Sequence, residues 1–223
     1  GIVIMDKDGS NEELLFETPG GGASRIEVSP SGNYVGVISG WVLELYSSSG
    51  QLIKEIIPDP LVDHIKFSPD ESKLYGTRGY GEMNFFDIPE LNLIEQNSFG
   101  GGGVWINNDS VIYEDTIDRT LGEYSLVSGK ILLNVNISPQ VYNSSTDTVF
   151  SLNGTEIRVF VLGNTDYTTG NFSYAPYAYQ DFTNQQLSPD GKEIVMGAKS
   201  IFNNAGAGIY ILDIENGGIT FIK

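Results

Sequence analysis

His64 is the only histidine in the chain, and there is no cysteine. A Ser-His-Asp mechanism would have to pass through that one imidazole, and a metal site built from several histidines is excluded. Its setting, Asp63-His64-Ile65, opens an alternating apolar segment, where an imidazole ordinarily serves the fold. Without thiols there are no disulfides and no thiolate nucleophile. Asp6-Lys7-Asp8-Gly9-Ser10 invites a calcium reading. A calcium loop, however, places its glycine later and closes on a bidentate glutamate, so these residues suit a tight hairpin turn instead. Gly20-Gly21-Gly22 and Gly100-Gly101-Gly102-Gly103 are not followed by Gly-Lys-Ser/Thr and open no helix. They read as crossovers between sheets, not phosphate cradles. Gly79-Tyr80-Gly81 and Gly206-Ala207-Gly208 lack the third glycine of a dinucleotide fingerprint. No catalytic residue, metal ligand or cofactor is expected.

Paired carboxylates could hydrolyse glycosides if they converged from several elements. The densest acidic group is Glu114, Asp115 and Asp118, with Glu123 beyond and Arg119 among them. It falls in one segment and is expected to be a solvated, self-neutralised loop. Glu27 lies on a segment expected to be an inner strand and is the other acid to locate.

The elements that must position these residues are short strands. Val42-Leu43-Glu44-Leu45-Tyr46 runs through Ser47-Ser48-Ser49-Gly50 into Leu52-Ile53-Lys54-Glu55-Ile56, and Ile209 to Ile222 repeats the pattern around Glu215-Asn216-Gly217. Alternation over four to six residues between Gly, Ser and Asx turns specifies strands, and no window carries a helical period. A second phrase recurs: a strand, Ser-Pro-(Asp/Ser), a turn, and another strand. It occurs at Ser29-Pro30-Ser31-Gly32, Ser68-Pro69-Asp70 and Ser188-Pro189-Asp190-Gly191, with degenerate copies at Asn107 and Asn143. The spacing of about 40 residues, with four strands a, b, c and d in each unit, is that of a propeller blade.

Phe67-Ser68-Pro69-Asp70 and Leu187-Ser188-Pro189-Asp190-Gly191-Lys192 resemble the a–b turn of TolB-type (WD-like) β-propeller repeats, and Met5 to Leu15 resembles their c–d hairpin. The resemblance covers essentially the whole chain. It implies an all-β propeller over residues 1–223, with five full blades plus an outer half blade, six-bladed when complete. On this reading the inner strands of the first blade come from a longer chain or from another segment or subunit. The repeat serves scaffolds, surface proteins and peptidase-gating domains, so it implies a fold more than an activity.

In such a blade the b–c and d–a loops emerge on one side, and loops held by a rigid scaffold are where binding residues concentrate. The candidates there are Arg78, Tyr80, Asp118 and Arg119, then Tyr174, Tyr177 and Tyr179 in a long crossover over 172–186, and Asn203 and Asn204. Tyr and Arg are favoured at binding hot spots. Asn-x-Ser/Thr occurs at Asn108, Asn136, Asn143, Asn153 and Asn171, candidate glycosylation sites in an exported protein.

The balance of 29 acidic against 12 basic residues gives a formal charge of −17. That field repels phosphate backbones and anionic lipid, so neither nucleic acid nor a membrane surface is an expected partner. No apolar run is long enough to be inserted in a bilayer. The first residues lack the basic region of a signal peptide, so the chain is either cytosolic or the remainder of an exported protein; the glycosylation motifs favour the second, placing it in the periplasm, at the cell surface or secreted. The function expected is a non-catalytic binding or scaffold module for a protein, peptide or glycan. The rivals are a structural surface or filament subunit, a glycosidase-like propeller and a peptidase-gating domain.

Overall fold

The computed structural model describes every residue except 7, 19–21, 79–80, 99, 116, 118–119, 134, 136–138, 140, 145, 154–155, 165–167, 172–179, 189, 201–207, 215, 217–218 and 223. For 152–153, 156, 168, 170–171, 180–185, 197–200, 208 and 219–222 only the backbone is described. The described elements are all strands. Among these residues no helix is long and apolar enough to cross a membrane.

The chain divides into two compact units, Gly1–Ser138 and Pro139–Lys223. Unit 1 begins with a two-stranded sheet, β1 (Ile2–Ile4) and β2 (Glu13–Phe16). The first four-stranded blade follows as β3 (Arg25–Val28), β4 (Tyr34–Ser39), β5 (Val42–Ser47) and β6 (Leu52–Ile56). The second is β7 (His64–Phe67), β8 (Lys73–Arg78), β9 (Glu82–Asp87) and β10 (Leu93–Asn97). The third is β11 (Gly100–Trp105), β12 (Ser110–Asp115), β13 (Leu121–Ser125) and β14 (Gly129–Leu132). Unit 2 holds a fourth blade, β15 (Val141–Asn143), β16 (Thr148–Asn153), β17 (Glu156–Val161) and β18 (Thr168–Asn171). Its fifth is β19 (Gln180–Leu187), β20 (Glu193–Ser200), β21 (Gly208–Asp213) and β22 (Ile219–Ile222). Five antiparallel four-stranded meanders of this kind make the fold a β-propeller.

The middle strands explain why the blades stack. In β4 and β5, and again in β8 and β9, nearly every residue is buried, so both sheet faces need an apolar neighbour. In unit 1, Ile38, Leu43 and Leu45 of the first blade pack on Ile65, Phe67, Leu74 and Phe86 of the second. On its other face the second blade presents Tyr75, Met83 and Phe85 to Trp105, Val111, Tyr113 and Tyr124 of the third. The β1–β2 sheet closes on the first blade through Ile2 and Phe16, the latter stacked on Tyr46 at 4.0 Å between ring centroids. In unit 2 the same logic joins Val141, Phe150 and Ile157 to Ile194, Met196, Tyr210 and Leu212.

The recurring phrase is a hydrogen-bonded a–b turn. Ser68 Oγ accepts from Lys73 N at 3.0 Å and donates to Asp70 Oδ1 at 2.8 Å. Ser188 repeats this with Glu193 N at 2.9 Å and Asp190 at 2.6 Å. Ser29 accepts from Tyr34 N at 3.0 Å. The Pro sets φ for the turn, and the hydroxyl replaces the ladder bonds that the turn interrupts. The turns also clasp their neighbours. Glu71 Oε1 accepts from Ser31 N at 2.5 Å, and Lys73 Nζ pairs with Asp109 at 3.2 Å. In unit 2, Asn143 Nδ2 donates to Gly191 O at 3.3 Å. Burial opposes ionisation of Glu71, but its bonds from Ser31 and Asn33 outweigh that and hold its carboxyl below the usual range.

Two expectations are corrected. Gly100 to Gly103 is not a crossover; it forms the first four of the six residues of β11. The glycines let that strand lie against large rings: a Cβ at Gly103 would meet Ile112 O at 2.7 Å and Tyr75 OH at 3.0 Å, and Tyr75 OH donates to Gly101 O at 2.6 Å. Likewise, the segment before the fifth blade is not all loop, because β19 already begins at Gln180, with a bulge between Thr183 and Gln186 absorbing the irregular register.

Two substitutions follow from this packing. Gly122→Ala would put a Cβ 2.5 Å from Cζ of the fully buried Tyr113. It should lower unfolding free energy by about 1–3 kcal/mol, whereas Gly102→Ala, with nothing within 4 Å, should be close to neutral in the same urea titration. Ser68→Ala strips the fully buried hydroxyl from its turn and should cost about 1–3 kcal/mol in that assay.

Candidate functional site

Antiparallel order puts alternate connections on opposite sides of each blade. On one side of unit 1 lie the start of β3, the β4–β5 turn, the end of β6, the start of β7, the end of β8 and the β12–β13 loop. This side carries Arg25, Trp41, Ile57, Asp63, His64, Arg78 and Ile117. Ile117 is 77% exposed, Ile57 70% and Trp41 66%, and among the described large apolar residues only Val127, on the opposite side, rivals them. A turn residue has no partner blade to cover it. Trp41 follows Gly40, whose φ of 62° closes the β4–β5 turn, so its indole stands clear of the sheet. Leu43 pairs with Ile56, which brings Ile57 to the end of the strand pair that Trp41 begins.

The first strands of the blades are joined there by two polar rungs. Arg25 Nη2 lies 3.1 Å from His64 Nε2, and His64 Nδ1 lies 2.8 Å from Asp63 Oδ1. A guanidinium can only donate, so in this contact Nε2 is the acceptor and Nδ1 the donor to Asp63. One step along, Lys66 Nζ pairs with the buried Glu27 at 3.1 Å, and Trp105 Nε1 donates to Lys66 O at 2.9 Å. Glu27 is thus committed to a lysine. His64 has a guanidinium where a hydroxyl nucleophile would have to stand.

The acidic group is also corrected. Glu114 and Asp115 belong to β12 and Glu123 to β13, not to a loop. Asp115 is completely buried, with Lys130 Nζ at 2.5 Å and Ile117 N at 2.9 Å. A carboxylate at that depth needs a cation with good geometry, and Lys130 on β14, the edge strand of the same sheet, supplies it. Glu44, on the face of the first blade that meets β1–β2, accepts from Tyr46 OH at 3.1 Å. Burial pushes the Glu44 carboxyl up, partly offset by that bond, and it pushes the Tyr46 phenol up to about 12, helped by the same bond. Among the described residues no group of three or more His, Asp or Glu could hold a metal ion.

Of the binding candidates, Arg78 ends β8 and is exposed. Tyr80, Asp118, Arg119, Tyr174, Tyr177, Tyr179, Asn203 and Asn204 lie outside the described residues. Of the glycosylation candidates, Asn108 is exposed in an a–b turn, while Asn143 is buried and donates to Gly191 O. Asn136 lies outside the described residues, as do the side chains of Asn153 in β16 and Asn171 in β18. Sequence reasoning passed over Trp41, Ile57 and Ile117. The available signal was an apolar residue in a turn, where nothing in the strand pattern needs one.

Solved β-propellers are similar to this chain. Hydrazine synthase of Kuenenia stuttgartiensis matches 93% of it and 68% of that chain, at 12% identity and TM-score 0.64. The β-propeller domain of Cps50 (Swd1) from Myceliophteria thermophila matches 91% of it and 69% of that domain, at 9% identity and TM-score 0.67. The C-terminal WD40 domain of Sif2 matches 90% of it and 58% of that domain, at 12% identity and TM-score 0.59. The chain therefore spans roughly three-fifths to two-thirds of the length of such structures. No protein-family model and no curated protein sequence matches it.

One pH dependence follows. A carboxyl whose folded pKa is raised gives stability below its ordinary value of 4.5 that is lost as pH climbs through the folded value. Glu44→Gln keeps the acceptor for Tyr46 without the charge. It should gain on the parent in urea midpoint as pH rises from about 4 to about 7, and a gap that shrinks over that range would contradict the burial of Glu44.

Proposed function

We propose that this chain is a non-catalytic β-propeller binding module of TolB/WD-like repeats, and that it engages a protein or peptide through the loop side carrying Trp41. The observation that carries the reading is exposure: three of the four most exposed large apolar residues described, Trp41, Ile57 and Ile117, stand on that one side of unit 1. Clustered apolar residues on rigid turns are what interfaces use, with Trp and Arg favoured at their centres. The buried acids described in unit 1 point away from hydrolysis, since Glu27, Asp115 and Glu44 are tied to Lys66, Lys130 and Tyr46 respectively. The similarity in fold to the WD40 domain of Sif2 and to a component of the mitotic checkpoint complex supports a scaffold role. The glycosylation motif at exposed Asn108 supports work outside the cytoplasm.

A photo-crosslinking residue at position 41, and separately at 127 on the opposite side, tests this in the native source. A discrete partner should be captured from position 41 and lost on adding Ile117→Asp. Capture from position 127 alone would overturn the assignment of the binding side.

A further inference from the structure

We infer that this side of unit 1 recognises an extended peptide in which a carboxylate sits beside an apolar side chain; the inference rests on the binding role proposed above and names what that role takes. The chain has more than two acids for each base, and in unit 1 Lys66, Lys73 and Lys130 face carboxylates. The two loop-side arginines among the described residues, Arg25 and Arg78, do not. Arg78 is exposed and, among the described residues, makes no hydrogen bond or ion pair. Arg25 spends its donors on neutral acceptors, Ser24 O at 3.5 Å and His64 Nε2 at 3.1 Å, and its buried Nε has no partner. Asp63, next to His64 in the chain, is held by it at 2.8 Å. Glu82 lies across the strand pair from Arg78 but forms no ion pair with it.

Geometry brings the two guanidinium groups to the same seam. Arg25 pairs in register with Ile38, whose side chain packs against the second blade. Arg78 lies two residues beyond Gly76, where a Cβ would meet Val62 and Phe86 of the cluster shared with the first blade. Side chains two apart in a strand share a face, so both arginines flank the seam between the first and second blades. His64, the partner of Arg25, sits opposite Thr77, the residue before Arg78. A guanidinium fork without a counter-ion binds carboxylate in preference to a neutral group. Trp41 and Ile57 stand at the end of the first blade beside that seam, and Ile117 stands on the third blade. Apolar anchors spread over separate blades call for an extended ligand, and a small free acid would leave them uncovered.

Selection of a randomised twelve-residue peptide library on the intact protein tests the inference. Both Trp41 and Arg78 are exposed, so Trp41→Ala and Arg78→Gln should unfold in urea as the parent does. The enriched peptides should carry Asp or Glu next to an aromatic or aliphatic residue. Arg78→Gln, or Asp→Asn in the peptide, should weaken binding about tenfold or more. The nitrogen resonances of His64, unambiguous as the sole imidazole, should move on binding. Peptides that depend on Trp41 but lack an acid, or that bind Arg78→Gln unchanged, would overturn this inference and leave the binding side standing. A selection yielding no Trp41-dependent peptide would overturn both.

Discussion

A sheet that is apolar on both faces cannot exist alone in water, and that constraint organises this protein. The middle strands of the first two blades bury almost every side chain, to either side alternately. Each fully buried Leu, Ile or Phe contributes about 1.5–3 kcal/mol only when a neighbour covers it. Stacking of blades is therefore a condition of each blade's own stability. The glycines of β11 belong to the same constraint, since they allow the first strand of the third blade to close on Tyr75 and Tyr113.

The buried carboxylates of this stack, Glu27, Glu44 and Asp115, enter it with partners. At one end of the blades the Ser-Pro-Asp turns satisfy their own backbone and clasp the adjacent turn through Glu71 and Lys73. Along the first strands, Arg25 with His64 and Glu27 with Lys66 tie the first blade to the second. Deeper, Asp115 is sustained by Lys130. Glu27–Lys66 and Asp115–Lys130 are costly to break singly, because the surviving carboxylate would be buried and unanswered. The result is a frame tied blade to blade in unit 1, with Trp41, Ile57, Ile117 and Arg78 exposed on the opposite loop side. That division of labour is what a recognition surface needs, because rigid presentation reduces the entropy lost on binding.

Much of this was legible in the chain. The alternation of Val42 to Tyr46 and the turn at Ser47 to Gly50 announced β5 and β6. The spacing of Ser29, Ser68 and Ser188 announced the blades. Arg78 was legible as a loop-side cation because the strand order fixes which connections share a side. The errors have local causes. A run of four glycines looks like a crossover unless the rings it must pass are known. Asp115 looks like a loop acid because nothing near it in sequence shows that Lys130, 15 residues on, will cover it. Trp41 was overlooked because strand patterning rates a residue by its neighbours in the chain, and a turn tryptophan breaks no pattern.

The sequence by itself determined the strands, their turns and the repeat. Those depend on interactions within a few residues, on backbone preference and on alternation, all of which are written locally. Only the tertiary structure decided which polar residues are spent and which are free. The rungs between Arg25 and His64 and between Glu27 and Lys66 join residues 39 apart. Whether a guanidinium has a counter-ion, or an indole a cover, depends on which blade comes to lie beside it, and that is settled by packing between sheets.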